Sequence, residues 1–385
     1  MRYRVKQINL TTPINQLGYG TVGLNATLGL ISLGYDVALW PIGSVICPPD
    51  KAAEIRAALD GTGRYNRSAP SIRICQQFDL AQHVGKGVHA AITYFERNKL
   101  LDNEINHLQN QDVVIASSVW MRDLLAQLIR GPKLAIARPG VDTAIFSPHL
   151  VRPAITTVGG RPLFEDARGM VGDAGRPFGA EPTVFLAVGK WEVRKGHDVL
   201  ATIFERAFTP RDNFKLVLAT ANPFLSSEQH EEWARRFARM GNKVEILTNR
   251  LPDQPSLARL MARADCGVFL SRAEGWNLDA AEMLAMGKHI IITNYSAHTE
   301  FANRENSWLV DIDELEVAND GKWFQGFGEW ARLGPRQLEQ AIVSVRRVHE
   351  LKQNGRLTTN QAGIDTMSKL TWRAFAESVV AAVEG

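Results

Sequence analysis

Apolar positions along the chain fall into two alternating spacings. Runs such as Thr183-Val184-Phe185-Leu186-Ala187-Val188, Cys266-Gly267-Val268-Phe269-Leu270 and His289-Ile290-Ile291-Ile292-Thr293 are nearly continuous. That pattern predicts strands covered on both faces of a parallel sheet. Between such runs, apolar residues recur at helical spacing, as in Leu24, Leu28 and Ile31, or Val199, Ile203, Phe204 and Ala207. Further strands are predicted over Arg4 to Leu10, Asp36 to Trp40, Ser71 to Cys75, Val88 to Tyr94, Lys133 to Ala137, Lys215 to Ala219 and Lys243 to Leu247, with another from Asp112 leading to Ser118. Helices are predicted over Trp120 to Ile129, from a Ser256 cap through Ala264, and from Pro335 to about Leu351. Strands alternating with helices imply parallel sheets with right-handed crossovers. The fold class is therefore α/β.

Residues 151–181 break this pattern with clustered glycines and weak periodicity, and read as an interdomain linker. They separate an N-terminal domain at 1–150 from a second domain at 182–367. A length of 385 residues suits two domains of roughly 150–200 residues each. The 45% apolar content supplies a sizeable core, and a net charge of +3 excludes a strongly basic tail. That near-neutral balance does not indicate a nucleic-acid partner but leaves a local basic groove open. Cys47, Cys75 and Cys266 lie far apart without metal-ligand spacing, as expected of reduced, structural cysteines in a cytoplasmic protein. No apolar run approaches the ~18 residues of a membrane span, so contact with a membrane-bound partner would be peripheral.

The candidate chemistry gathers where strands run into helices. After the run ending at Leu270 come Glu274, Gly275, Trp276, Asn277 and Leu278, with Asn277 placed as an N-cap. Leu278, Glu282 and Ala285 then share one face of a helix that stops at Gly287. Open α/β sheets bind ligands where a strand's carboxyl end meets a helix N-terminus. A carboxylate on a buried face, as at Glu282, needs hydrogen-bond partners, and a hydroxyl-rich ligand would supply them. Lys190, Arg194 and Lys195 crowd the end of another buried strand, an arrangement that a diphosphate would answer. Gly18 and Gly20 open a helix and let a phosphate or sugar approach the backbone, or serve a tight turn. Their spacing is not that of a dinucleotide-binding loop. Glu96 ends the strand through Tyr94, with His83 and His89 nearby, and His89 reads as packed against the strand.

The spacing Glu274-x7-Glu282 behind an apolar strand, with Glu-Gly first and Ala-Met-Gly after, resembles the retaining glycosyltransferases of family 4 type. Thr293 to Phe301, and Arg138-Pro139-Gly140-Val141-Asp142 with Phe146 and Pro148, are similar to further segments of that family. The resemblance implies the GT-B fold, two Rossmann-like domains with parallel sheets facing across a cleft. It also implies a C-terminal helix, here about 368–385, crossing back onto the first domain with Trp372 as anchor. Glu274 would face the donor sugar and Glu282 the ribose hydroxyls, while Arg250 would lie beside the base. Lys190 occupies the family's arginine slot and Lys195 its lysine slot; a lysine there gives a point charge instead of a bidentate fork. Trp276, Asn277 and Leu278 would offer backbone amides, and Glu96 would serve the acceptor or donor sugar. The implied reaction transfers a sugar from a UDP- or GDP-sugar, or a similar nucleotide-sugar, to a hydroxyl with retention, and with no metal or other cofactor. Glycan, lipid, metabolite and modified nucleobase acceptors all stay open. So do an epimerase or hydrolase of the same fold and a non-catalytic nucleotide-sugar-binding protein. Oligomeric state is not readable.

Overall fold

A computed structural model describes residues 6–150, 181–247 and 249–385. Most of the expected linker, and the first residues of the expected Arg4 strand, lie outside them. The chain divides into two compact units. One comprises residues 1–142, 274–278 and 369–385, the other 143–273 and 279–368.

The first unit alternates β1 (Gln7–Thr12), α1 (Gly18–Ser32), β2 (Asp36–Pro41), α2 (Ala52–Asp60), β3 (Ser71–Ile74), β4 (His89–Ile92), α3 (Asp102–Gln109), β5 (Val113–Ala116), α4 (Val119–Leu128) and β6 (Lys133–Ile136). All six strands are parallel, in the order β2-β1-β3-β4-β5-β6. Ile8 and Leu10 of β1 point into a core with Leu30, Val37, Leu39, Ile72 and Ile74. Phe375, Ala376, Val379, Ala382 and Val383 of the C-terminal helix complete that core. A Cβ at Gly140 would stand 2.1 Å from the Trp372 nitrogen, so only glycine admits this helix so closely.

In the second unit the order is β7 (Thr183–Val188), α5 (His197–Ala207), β8 (Phe214–Ala219), α6 (Ser227–Arg235), β9 (Val244–Ile246), α7 (Gln254–Arg263), β10 (Cys266–Phe269), α8 (Leu278–Ala285), β11 (His289–Asn294) and β12 (Trp308–Asp311). An antiparallel hairpin of β13 (Leu315–Asn319) and β14 (Gln325–Ala331) follows. Then come α9 (Pro335–Gln353) and α10 (Gln361–Met367); the C-terminal helix, α11 (Trp372–Glu384), belongs to the first unit. The parallel sheet runs β12-β11-β10-β7-β8-β9. Phe185, Leu216, Leu218, Val268 and Ile291 are buried in its core, as the continuous apolar runs require.

Several local readings differ from the sequence expectation, among them β12 and the helices α2, α3 and α6, where no element is expected. α7 is capped by Asp253, whose Oδ1 accepts the Ser256 N–H at 2.7 Å. Ser256 is thus the residue being capped, because Pro255 fits the first turn and pulls the helix start earlier. The hairpin is a further difference, since no strand is expected between Leu315 and Ala331. At the far end of α8 the sequence expectation stands: Gly287 has φ of 69°, Gly287 N–H donates to Leu284 O at 2.9 Å and Lys288 N–H to Met283 O at 3.0 Å. That pair of bonds is the left-handed glycine stop of a Schellman motif.

Candidate functional site

In the second sheet the strand order reverses between β7 and β10. The loops leaving their carboxyl ends part to opposite sides there, which opens the crevice used by ligands in this class of sheet. The loop after β7 carries Gly189 to Gly196. Gly189 has φ of 123°, and a Cβ there would come within 3.3 Å of Lys195 Cε, so the lysine's alkyl chain lies across the glycine. Gly196 has φ of 72°, and its absent Cβ would stand 2.1 Å from the Leu270 carbonyl oxygen. Both positions need glycine, one for its backbone angle beside Lys195 and one for close approach to the β10 loop.

Among the cations expected to face an anion, the structure inserts a carboxylate. Glu192 accepts from Lys190 Nζ at 3.0 Å and from Arg194 Nη2 at 2.8 Å. Burial pushes the Glu192 carboxyl up, but Arg194, Lys190 and Lys195 together outweigh it and hold it below the usual carboxylate range. Arg194 is itself buried, and its Nη1 donates to Ala273 O at 3.0 Å. Its guanidinium thus ties the β7 loop to the β10 loop. Lys190, a third exposed, reaches the surface.

A second arginine, absent from the sequence expectation, completes the lacing. Arg272 is buried, with Nη1 on Asp198 Oδ1 at 2.8 Å, Nη2 on Asp198 Oδ2 at 3.0 Å and Nε on Glu316 Oε1 at 2.8 Å. Its Nη1 also donates to the Val193 carbonyl. Burial works against its charge, and Asp198 and Glu316 outweigh that and raise its pKa. One side chain therefore joins the β10 loop, the first turn of α5, the β7 loop and β13. Glu282 lies buried within α8, and Asp279 in that helix's first turn acts electrostatically on Arg250, exposed after β9.

The remaining expected positions lie in the first unit. Glu274, Trp276 and Asn277 are buried. Asn277 has φ of 93°, a left-handed angle that asparagine tolerates better than most residues. Gly275 O accepts a hydrogen bond from Ser117 Oγ, and a Cβ on Gly275 would stand 2.6 Å from Tyr94 Cβ. At β1, Gly18 is open, whereas a Cβ on Gly20 would meet three Asn15 atoms at 2.3–2.5 Å. Gly20 therefore serves close packing of α1 on its own entry loop. Tyr19, between the two glycines, holds the end of β4: its hydroxyl donates to Tyr94 O at 3.0 Å and accepts the Tyr94 N–H at 2.9 Å. Burial pushes the Tyr19 phenol far above the ordinary tyrosine range, and Glu96 adds to that. Tyr94's own hydroxyl is buried and has no hydrogen-bond partner among the described residues. His83 and His89 stack at 4.3 Å, with His83 Nε2 on Gln111 Oε1 at 2.6 Å. They sit at the amino end of β4, the edge away from ligand-binding loops.

Glu192 had a legible signal, since a carboxylate set among three cations in Lys-Trp-Glu-Val-Arg-Lys invites pairing. Arg272 had none beyond its place in the loop. Among the described residues no three His, Cys, Asp or Glu side chains are grouped to hold a metal ion, and no helix is long and apolar enough to cross a membrane.

Residues 182–320 match the family described as Glycosyl transferases group 1. The chain is 23% identical over 208 residues to a GDP-mannose:cellobiosyl-diphosphopolyprenol alpha-mannosyltransferase of Xanthomonas campestris, covering 54% of this chain and 47% of that protein. A homologue of the same description from Xanthomonas oryzae matches equally. The chain thus spans about half the length of the curated relatives it matches. Among solved structures, sucrose-phosphate synthase from Thermosynechococcus elongatus superposes with a TM-score of 0.65 at 15% identity over 98% of both chains. Anabaena HepE in complex with UDP-glucose gives 0.63 at 14% identity, over 97% of this chain and 98% of that one. Trehalose-6-phosphate synthase OtsA gives 0.66 at 10% identity, over 98% and 99%.

Proposed function

We propose, from the GT-B fold of this chain and the match of residues 182–320 to the glycosyl transferases group 1, that the protein moves a sugar from a nucleotide-diphosphate sugar to a hydroxyl acceptor with retention at the anomeric carbon. The observation that carries this reading is the β7 loop, where Lys195 lies across Gly189 beside a Lys190–Glu192–Arg194 chain at the strand-order reversal. Departure of the diphosphate is the hard step, and Lys195 and Lys190 stabilise the negative charge that develops on it. Arg194 acts by fixing the loop, because its guanidinium is shared between Glu192 and Ala273 O. Glu274 orients the hydroxyls of the donor sugar, Glu282 binds the ribose and Arg250 lies beside the base. The bond from the anomeric carbon to the phosphate oxygen breaks and one to the acceptor oxygen forms. The acceptor's proton passes to the leaving phosphate oxygen, so no protein base is required. With lysines supplying the charge, the reaction needs no metal.

The curated relatives are described as using GDP-mannose, and HepE was solved with UDP-glucose. Both nucleotides therefore belong in the test. A thermal-shift panel of UDP, GDP and their hexose esters is expected to stabilise the native chain by about 2.7 kcal/mol at 100 times the dissociation constant. Lys195→Ala and Glu282→Ala are expected to abolish that shift. A panel without effect on the native chain overturns the proposal. Loss of donor without any acceptor would turn it toward a hydrolase or epimerase.

A further inference from the structure

We propose that the β13–β14 hairpin, together with Phe224 from the loop after β8, forms a subsite that holds a neutral saccharide ring of the acceptor against the aromatic faces of Phe224 and Trp323. This rests on the sugar-transfer reading above. The hairpin's buried side is built into the loops already described. Ala318 and Trp330 form a small core with Ala273, packed against Val193 and Phe324. Ala331 N–H donates to Arg272 O at 2.9 Å, and Glu316 is held by Arg272. The outer side is left apolar: Trp323 is 48% exposed and Phe224 48%.

These two rings meet edge to face at 5.6 Å between centroids. Neither is loose. Asp320 Oδ1 accepts the N–H groups of Lys322, Trp323 and Phe324 at 2.7–2.9 Å, which fixes the turn. Lys322 Nζ donates to Phe224 O at 2.8 Å, which fastens the two loops together. A rigid pair of exposed aromatic faces loses little entropy on binding. Their negative quadrupole suits the weakly positive C–H face of a sugar ring.

Charge decides among possible occupants. Lys190 Nζ lies over the Phe224 ring, 5.2 Å from its centre, and Lys322 Nζ over the Trp323 ring at 5.4 Å, so each ring carries an ammonium donor on one face. Both ammonium groups are already engaged. Lys190 pairs with Glu192, and Lys322 Nζ donates to the Phe224 carbonyl. A polyanionic strand or an anionic bilayer would call for a run of cations beside the rings, and these two engaged ammonium groups do not make one. A hydroxylated neutral ring uses both features, C–H on the aromatic faces and hydroxyl oxygens on the ammonium donors. Lys190 makes the subsite contiguous with the phosphate-facing loop, on the carboxyl edge of the sheet.

The test is calorimetric titration of the full-length chain, without donor, with maltotriose, cellotriose and mannotriose. Trp323→Ala and Phe224→Ala are titrated in parallel, and GDP and UDP thermal shifts serve as the donor arm. At least one trisaccharide is expected to bind the native chain, with each substitution weakening it about tenfold and the nucleotide shift unchanged. The proposal is overturned if no trisaccharide binds, if Trp323→Ala leaves the affinity unchanged, or if that substitution removes the nucleotide shift. It is equally overturned if a single-stranded oligonucleotide or anionic vesicles bind through Trp323 in place of the sugars. Trisaccharide binding that depends on Trp323, with no nucleotide shift in any chain, would remove the transfer reading while leaving the saccharide site standing.

Discussion

Each parallel sheet has one place where the strand order reverses, and the two are built from opposite materials. In the first sheet it lies beside β1, and the helix after that strand has no acidic residue in its first turn and no basic one in its last. What shapes it is contact: Gly20 against Asn15, and Tyr19 hydrogen-bonded to the backbone of Tyr94. In the second sheet the equivalent place is crowded with Lys190, Glu192, Arg194, Lys195, Asp198 and Arg272. One fold geometry thus yields a neutral, sterically defined loop and a charged, laced one.

The charged loop depends most on Arg272. Arg272→Met leaves Asp198 and Glu316 without their cation; because both carboxylates keep some contact with water, the cost is about 2–3 kcal/mol, below that of a fully buried charge. Urea unfolding of the native and substituted chains measures it, and a loss below about 1 kcal/mol would show the lacing to be incidental. Gly20→Ala is next. A methyl group 2.3 Å from Asn15 Oδ1 must displace the entry loop, at about 1–3 kcal/mol, with nucleotide binding to the second unit unchanged. Tyr19→Phe removes two hydrogen bonds to the Tyr94 backbone and is expected to cost about 1–2 kcal/mol, whereas Tyr94→Phe is expected to be nearly neutral, since it removes a hydroxyl without a partner among the described residues.

The smallest effect separates the two loops by pH. Glu192 is held below the usual carboxylate range when folded. Its contribution is therefore present above the unfolded value, about 4.3, and is lost as pH falls through the lower folded value. Glu192→Gln should flatten the acid limb of stability, as read from denaturation midpoints between about pH 5 and 3. The Tyr19→Phe profile should run parallel to that of the native chain, because that phenol stays protonated throughout.

The sequence exposed the skeleton of the charged loop well. Thr183 to Val188 and Cys266 to Phe269 are apolar without interruption, and glycines bracket the loops after them, so strand, loop and helix were legible from local pattern alone. Which cation faces outward was not legible. Lys190 and Arg194 look alike in a string, and only the packing of Glu192 and Ala273 O separates them. The hairpin escaped for another reason. Gly326 and Gly328 have φ of 87° and 75° and read as loop, and Leu315 and Val317 are apolar yet exposed, which inverts the expected alternation. The cap of α7 shows the same limit on a smaller scale, since Asp253 and Ser256 are both good N-cap residues and the backbone path decides between them.

The helix α11 that completes the core of the first sheet is made last by the ribosome among the elements of that unit. Strands β1 to β6 leave the exit tunnel long before Phe375, Ala376 and Val379 exist to cover Ile8, Leu10 and Leu30. During synthesis the first sheet therefore shows an uncovered apolar face for as long as the second unit takes to be made. The nascent chain is most prone to aggregate in that interval. Codon pauses or fusion partners that delay α11 should lower soluble yield far more than the same changes placed within the second sheet, even though α11 contributes nothing to the proposed chemistry.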